Sequence, residues 1–409
     1  MKYIILLGDG MADYPLEELG GKTPLQAAYT PYMDRIATQG TVGLIDTIPQ
    51  GFSPGSDVAI LTLLGYEAGK YYTGRGPLEA ANMGVQLGSE DVAFRCNLVT
   101  IGSENDPFME DFTAGHITST EAKELLLYLD EKLGSSEFQF YPGVSYRHLM
   151  VWKNGTNKLM TTPPHDITGK PVESYLPKGL GSKVIQNLMS RSKEILHNHP
   201  VNIKRLKNDM KPANSIWLWG QGSAPKFLKF SEKYSIKGGM ISAVDLLNGI
   251  GIYAGLKVIR VEGATGYTDT NYLGKANAAL KALIDLDYIF VHVEAPDEMG
   301  HEGNLEGKIH AIENFDKKIV GTVLNKIDEH KDFRLMVLSD HPTPIALKTH
   351  TSNPSPFLVF SSKKDENIHS GVTFCESSAE KTGIIISPGH LLMDLFINDW
   401  REFVAKFQC

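Results

Sequence analysis

The stretch YIFVHVEAPDEMGH, Tyr288 to His301, decides how the rest of the chain is read. Tyr288 to Val293 is a continuous rather than alternating apolar run, the pattern of a strand covered on both faces in a parallel sheet flanked by helices. The run breaks into Glu294-Ala295-Pro296-Asp297. Asp297-x-x-x-His301 then sets a carboxylate and an imidazole four residues apart, on one face of a helical turn. Two further runs end in the same manner: Tyr3 to Leu7 in Gly8-Asp9-Gly10, and Leu335 to Leu338 in Ser339-Asp340-His341. Ligands of such sheets gather just beyond the carboxyl ends of the strands. The three clusters therefore have a physical reason to meet, and the fold class is α/β.

A further imidazole, His350, follows in the loop Lys348-Thr349-His350-Thr351-Ser352-Asn353-Pro354, which feeds a strand at Phe357 to Phe360. Mixed imidazole and carboxylate donors suit Mn²⁺, Zn²⁺ or similar divalent ions. Asp9, Asp297, His301, Asp340, His341 and His350 exceed the needs of one tetrahedral site, so two ions are expected. Any one of these residues alone is more often a helix cap or a hydrogen-bonded surface group. Their common position at strand ends shifts the balance.

Next to this set stands Pro54-Gly55-Ser56-Asp57-Val58-Ala59, leading into a helix-like apolar run, Ile60 to Leu64. A serine after glycine at a helix start is exposed near the positive end of the helix dipole, where phosphate binds well. Its hydroxyl is a poor nucleophile at neutral pH unless a base or metal activates it. In isolation Ser56 or Ser53 reads equally well as an N-cap; the cage of ligands makes Ser56 the expected nucleophile. Arg75, Arg95 and Arg147 are candidate anion binders, since arginine grips carboxylate or phosphate with paired hydrogen bonds. Lys170 and Lys237 are weaker candidates.

At 409 residues the chain is too long for one ordinary core and suits two lobes. Helical spacing is expected from Ser182 as a cap through Leu196, and in Ser242 to Ala254 and Lys275 to Ile284. The stretch from Thr113 to Lys178 differs, with one helix-like run (Thr120 to Leu133), short strands such as Leu149 to Trp152, and Gly- and Pro-rich turns. It reads as an inserted α+β cap, 113–178, in a core made of 1–112 and 179–409. A formal net charge of −8 argues against a general nucleic-acid binder. Cys96, Cys375 and Cys409 are scattered without C-x-x-C spacing, which fits a reducing compartment and neither a disulfide framework nor a cysteine zinc cage. The N-terminal apolar run is too short for a signal peptide, and no stretch approaches the roughly 18 apolar residues of a membrane span. A cytoplasmic protein is expected, and no feature sets its oligomeric state. Several familiar nucleotide and hydrolase motifs are missing. Gly21-Lys22-Thr23 has Leu16 where a P-loop needs glycine, Gly249-x-Gly251-x-x-x-Gly255 misses the dinucleotide fingerprint by one position, and no G-x-S-x-G occurs.

Taken together, Gly8-Asp9-Gly10, Pro54 to Ala59, Tyr72-Thr73-Gly74-Arg75-Gly76-Pro77, Glu262-Gly263-Ala264-Thr265-Gly266, Glu294 to His301, Ser339-Asp340-His341 and His350 to Pro354 form a specific pattern. With them the sequence resembles, nearly end to end, the archaeal-type cofactor-independent phosphoglycerate mutases of the alkaline phosphatase superfamily. The resemblance implies an alkaline-phosphatase-like core with a mostly parallel sheet flanked by helices, plus an inserted smaller lid. It implies that Ser56 is phosphorylated in turnover. It also implies one ion held by Asp9, Asp340, His341 and Ser56, and another by Asp297, His301 and His350, drawn from Mn²⁺, Zn²⁺, Mg²⁺ or Co²⁺. The implied reaction moves phosphate between the 3- and 2-hydroxyls of glycerate. Where many members carry an arginine-rich D-R-x-A-G-R-like stretch, this chain has Asp111-Phe112-Thr113-Ala114-Gly115-His116. Asp111 and His116 accordingly join Arg75, Arg95, Arg147 and Lys237 as candidate substrate contacts. That departure keeps a homoserine kinase-like phosphotransferase, or a metal-dependent phosphatase, as alternatives on the same scaffold. An inert metal-binding protein would have no use for Ser56.

Overall fold

The computed structural model describes residues 1–103, 105–327 and 332–407. Cys409, counted above, lies outside the described residues; Cys96 and Cys375 are buried free thiols. The chain forms two compact units, Met1–Tyr72 with Phe227–Cys409, and Thr73–Lys226.

In the first unit, β1 (Lys2–Gly8), β2 (Thr41–Ile45), β3 (Gly238–Ile241), β4 (Lys257–Val258), β5 (Tyr288–Val293), β6 (Phe333–Leu338), β7 (Ser355–Ser361) and β8 (Ile385–Ile386) form one sheet. Their order is β4-β3-β5-β1-β6-β7-β2-β8. β7 runs antiparallel to both its neighbours and every other pairing is parallel. The continuous apolar runs have the expected cause, for every residue of β5 and β6 is buried. Helices supply the cover. α1 (Ser56–Leu63), α2 (Tyr272–Ala282), α3 (Ala295–Glu302) and α4 (Leu305–Asn314) are those that bear on the site. α2 packs against β5 and buries Tyr272, Ala276 and Ala279, spaced by four and three residues as one helical face requires.

Register does the positioning. β1 lies between β5 and β6, pairing Gly8 with Val293 and Leu7 with Leu338. Asp9 therefore leaves the sheet beside Glu294 on one side and Asp340 on the other. Its amide donates to the Val293 carbonyl at 2.9 Å, which holds the chain in line one residue past the strand. α3 starts immediately after β5, with proline in its first turn, where no backbone donor is needed. It stops at Gly303, whose φ of 73° is the left-handed conformation of a helix end. Asp297 and His301 are thus held on two rigid turns directly above the sheet edge.

In the second unit, Val92–Gly102 pairs antiparallel with Phe108–Asp111, Arg147–Trp152 and Ser215–Ser223, and Phe138–Val144 pairs with Arg147–Trp152. Helices Ser119–Leu133 and Ser182–His197 close a core of Phe94, Leu98, Leu125, Leu129, Ile185 and Trp217. This division differs from the one expected between 112 and 113 and between 178 and 179, because the second unit runs from Thr73 to Lys226. The reason is pairing. Val92–Gly102 is the centre of the second sheet, and Ser182–His197 packs on Ser215–Ser223. Ser182 is the first helical residue and not the cap, a position taken by Gly181 with φ 84°. Among the described residues no helix is long and apolar enough to cross a membrane.

Candidate metal centre and nucleophile

Ser56 opens α1, with Gly55 as the residue before the helix and no side-chain cap. The hydroxyl is not consumed in satisfying the helix end. Ser56 Oγ lies 3.2 Å from His341 Nε2. The neighbouring Asp57 is fixed, accepting from the Val58 amide at 3.0 Å and from the Tyr72 hydroxyl at 2.6 Å.

His341 Nε2 also stands 3.2 Å from Asp340 Oδ2 and 3.5 Å from Asp9 Oδ1. Asp340 Oδ1 accepts from two amides, Gly10 at 3.1 Å and His341 at 2.9 Å. That saturates one oxygen and leaves Oδ2 facing inward. Asp9 Oδ1 and Asp340 Oδ2 are both buried and have no hydrogen-bond partner. Buried carboxylate oxygens without a donor are costly, and a cation relieves the cost. The donor set and these two orphaned oxygens fit a divalent ion held by Asp9, Asp340 and His341, whose ligating atoms lie within 4.8 Å of one another.

Asp297, His301 and His350 make a second such group. His301 Nε2 is 3.2 Å from Asp297 Oδ2 and 2.8 Å from His350 Nε2, and His350 Nε2 is 3.5 Å from Asp297 Oδ1. His301 Nδ1 donates to the Lys348 carbonyl at 3.0 Å, which turns Nε2 toward the group. Thr343 ties the two groups together: its hydroxyl donates to Asp297 Oδ1 and lies 3.3 Å from His341 Nδ1.

Gly10 is the tightest point. It has φ +57°, and a Cβ there would meet Asp297 Oδ1, Thr343 Oγ1 and, at 2.8 Å, the Asp297 Cα. Gly10→Ala is expected to destabilise the fold by about 1–3 kcal/mol through forced backbone strain and to displace the Asp297 carboxylate. Urea unfolding and elemental analysis of bound metal check both effects; wild-type values for both would show that the loop accommodates the methyl.

The electrostatics agree with a cation-binding centre. Burial raises Asp9 well above the usual carboxylate range, and the charges of Asp340, Glu294 and Asp297 add to it. Burial likewise raises Glu294, with Asp297 adding. Burial works against Asp297 too, but hydrogen bonds from His301 and His350 outweigh it and hold Asp297 well below that range. The same bond to Asp297 lifts His301 to about 9, against the opposing effect of burial. His301 in the free group is thus protonated at neutral pH. Its pKa stands above the ordinary imidazole value, so the stability it contributes is full below about pH 6.5 and is lost as pH rises through about 9. A metal ligand must shed that proton. Loading this group near pH 7 is expected to release about one proton, falling through about half a proton near pH 9 toward none at higher pH. Calorimetric titration in buffers of different ionisation enthalpy measures the count; a pH-independent value near zero would show that His301 is already neutral in the free group.

The other residues singled out from sequence divide. Arg75, Arg95 and Arg147 come together in the second unit, close enough that Arg75 and Arg147 add to burial in lowering Arg95. Arg95 pairs with Glu79 at 2.9 Å and stacks over Trp219 at 4.4 Å, with Arg75 5.9 Å from the same ring. Asp111 is engaged in its own turn, accepting from the Thr113 amide and hydroxyl at 2.8 and 2.6 Å and pairing with Lys211 at 3.3 Å. His116 has φ +50° and donates its amide to Thr113 Oγ1 at 3.0 Å. Lys170 Nζ bonds the Asp166 carbonyl at 2.9 Å. Lys237 immediately precedes β3, at the amino end of a strand whose carboxyl edge carries the ligands, and so is not brought to them.

Two residues of the centre escaped sequence reasoning. His292 Nε2 lies 2.7 Å from Asp9 Oδ2 and 3.2 Å from Glu294 Oε2, entirely buried inside β5. Glu294 was read only as the end of the run. An imidazole interrupting a strand expected to be covered on both faces was the available signal.

With this geometry in hand, comparison with known proteins is specific. A model of the 2,3-bisphosphoglycerate-independent phosphoglycerate mutase family matches residues 37–202. The chain is 53% identical over 400 residues to a probable 2,3-bisphosphoglycerate-independent phosphoglycerate mutase of Geobacter sulfurreducens, covering 97% of this chain and 100% of that one. Among solved structures it is similar to a Pyrococcus horikoshii protein, with TM-score 0.81, 28% identity, and 98% and 97% of the two chains covered. It is also similar to the cofactor-independent phosphoglycerate mutase of Thermoplasma acidophilum, with TM-score 0.64, 26% identity, and 97% and 99% covered.

Proposed function

The chain belongs to the 2,3-bisphosphoglycerate-independent phosphoglycerate mutases, and we propose that it exchanges phosphate between the 3- and 2-hydroxyls of glycerate through a phosphoserine at Ser56. The observation that carries the site assignment is the 3.2 Å approach of Ser56 Oγ to His341 Nε2, beside the two orphaned carboxylate oxygens of Asp9 and Asp340. Divalent-metal dependence accompanies the family, and two ions are the number the two ligand groups suit. Asp9, Asp340, His341 and Ser56 would hold one, and Asp297, His301 and His350 the other. Bound there, the ions supply Lewis acidity that lowers the proton affinity of the serine hydroxyl and neutralises charge on the transferred phosphoryl group.

The chain's own residues do the rest. Ser56 Oγ attacks phosphorus as the bond to the leaving glycerate oxygen breaks, and that oxygen takes up a proton. The second half reverses this with the other hydroxyl as nucleophile, so Ser56 is regenerated and no water is consumed. The start of α1 directs its first amides and the positive end of its dipole at the phosphate on Ser56. Arg75, Arg95 and Arg147 are the candidates for the substrate's anionic groups. Trp219 and Glu79 hold Arg95 in one orientation, which reduces what binding must freeze.

Purified, metal-loaded protein given 3-phosphoglycerate without added bisphosphoglycerate is expected to yield 2-phosphoglycerate until the two equilibrate. Coupling to enolase measures it. Free phosphate and glycerate as products would favour the phosphatase. Phosphorylation of homoserine by a nucleotide, without mutase activity, would favour the kinase-like reading. The relatives described above, named as mutases, lend neither alternative support.

A further inference from the structure

We infer that His292, locked by Ser242 as a hydrogen-bond donor, is the positioning residue that reserves one oxygen of Asp9 for the cation beside Ser56. The inference rests on the reading of Asp9 as a ligand and concerns two residues outside the cage.

The Val244 amide donates to Ser242 Oγ at 3.0 Å, so the serine's own proton is free to point elsewhere. His292 Nδ1 lies 3.1 Å from that oxygen. An Nδ1 that accepts from Ser242 leaves the ring proton on Nε2, which faces Asp9 Oδ2 at 2.7 Å. The other tautomer would set a nitrogen lone pair against a carboxylate oxygen at that distance, which is repulsive. A doubly protonated ring also donates from Nε2. With Asp9 ionised, as a cation ligand must be, every arrangement consistent with these distances makes Nε2 a donor. The Lys275 ammonium bonds the His292 carbonyl at 3.0 Å, and His292 is wholly buried, so the ring has no room to turn away.

Two consequences follow. Asp9, His292 and Glu294 have the spacing of a third cation group, but with Nε2 donating to Asp9 the trio acts as a hydrogen-bonded support for the cation beside Ser56. Asp9 is also divided: Oδ2 is occupied by His292, and Oδ1, without a hydrogen-bond partner, is left to face His341 at 3.5 Å. Asp9 is thereby held to single-oxygen ligation with its orientation set from behind, the role of an outer partner that tunes ligand geometry.

Mn²⁺ titration of the metal-stripped full chain, with free ion followed by electron paramagnetic resonance, tests this. Ser242→Ala removes one hydroxyl and little volume, and His292→Leu removes the donor. Each is expected to weaken one of two Mn²⁺ sites by about tenfold or more while the other keeps wild-type affinity. His292→Gln, which keeps an N–H donor near the Nε2 position, is expected to recover most of the loss. Spin-echo spectra of the ion that disappears in Asp9→Asn should show one coupled imidazole. Two coupled imidazoles would make His292 a ligand and overturn the inference. So would wild-type affinity at both sites in Ser242→Ala and His292→Leu while Asp9→Asn loses an ion. If Asp9→Asn itself retains both ions, the ligand reading beneath the inference fails instead.

Discussion

Replacing Ser56 by alanine is expected to cut mutase turnover by at least about 10⁴-fold, the order of loss seen when an enzymatic nucleophile is removed, while bound metal stays near two per chain. The asymmetry follows from the geometry. Ser56 contributes one hydroxyl to a group that retains Asp9, Asp340 and His341, so its loss removes the acceptor of the phosphoryl group but not the cage. α1 is also expected to survive, because the residue before it makes no side-chain cap and the helix is held by the burial of Asp57 to Leu63. Unchanged thermal unfolding, unchanged metal by elemental analysis and absent acid-stable serine labelling from 3-phosphoglycerate would together mark a chemical and not a structural defect. Turnover within tenfold of wild type would refute the covalent route. Direct transfer between hydroxyls of two bound glycerates would then need consideration.

The cage was legible in the sequence because of how parallel sheets are built. Strands buried on both faces give unbroken apolar runs, and their ends are visible as abrupt breaks at Asp9, Glu294 and Ser339. Ligands at those breaks then converge without any knowledge of strand order. Strands β2 and β3 are short, and nothing in their sequence announces them, but the site does not depend on reading them. The domain boundary was illegible for a related reason. Val92–Gly102 has the same apolar character whichever sheet it joins, and only its pairing with Arg147–Trp152 and Ser215–Ser223 assigns it to the second unit. His292 and Ser242 were illegible because their importance is a matter of tautomer and distance, which residue spacing does not encode. Lys237 failed for the opposite reason: a lysine beside a strand carries no mark of which end of the sheet it will occupy.

Lys308→Met carries the largest expected cost in stability, about 3–5 kcal/mol, the usual penalty for stripping one partner from a buried ion pair. Lys308 sits on α4 with no exposure, and its Nζ donates to Asp13 Oδ2 at 2.7 Å, to the Thr343 carbonyl at 2.9 Å and to the Ala12 carbonyl at 3.3 Å. Burial alone pulls its proton affinity down, and the charge of Asp13 opposes that. Methionine replaces the volume but leaves Asp13 buried without its cationic partner, still accepting from the Tyr14 and Ile345 amides at 2.7 and 3.1 Å. Adding Asp13→Asn removes the stranded charge and keeps one of those acceptor contacts, since its single carbonyl oxygen cannot serve both amides, so the double variant is expected to recover part of the loss. The comparison belongs in metal-free protein, since cation binding would itself shift the folding equilibrium. The pair also reaches the chemistry. Lys308 clamps the segment after β1 to the segment after His341, and Thr343 in the latter holds Asp297 and approaches His341. Loosening that clamp should weaken metal retention in the single variant and restore it in the double, in parallel with stability. If urea unfolding shows less than about 1 kcal/mol lost in the single variant, below the range for breaking a buried pair, Lys308 is dispensable to the centre and its burial has another cause.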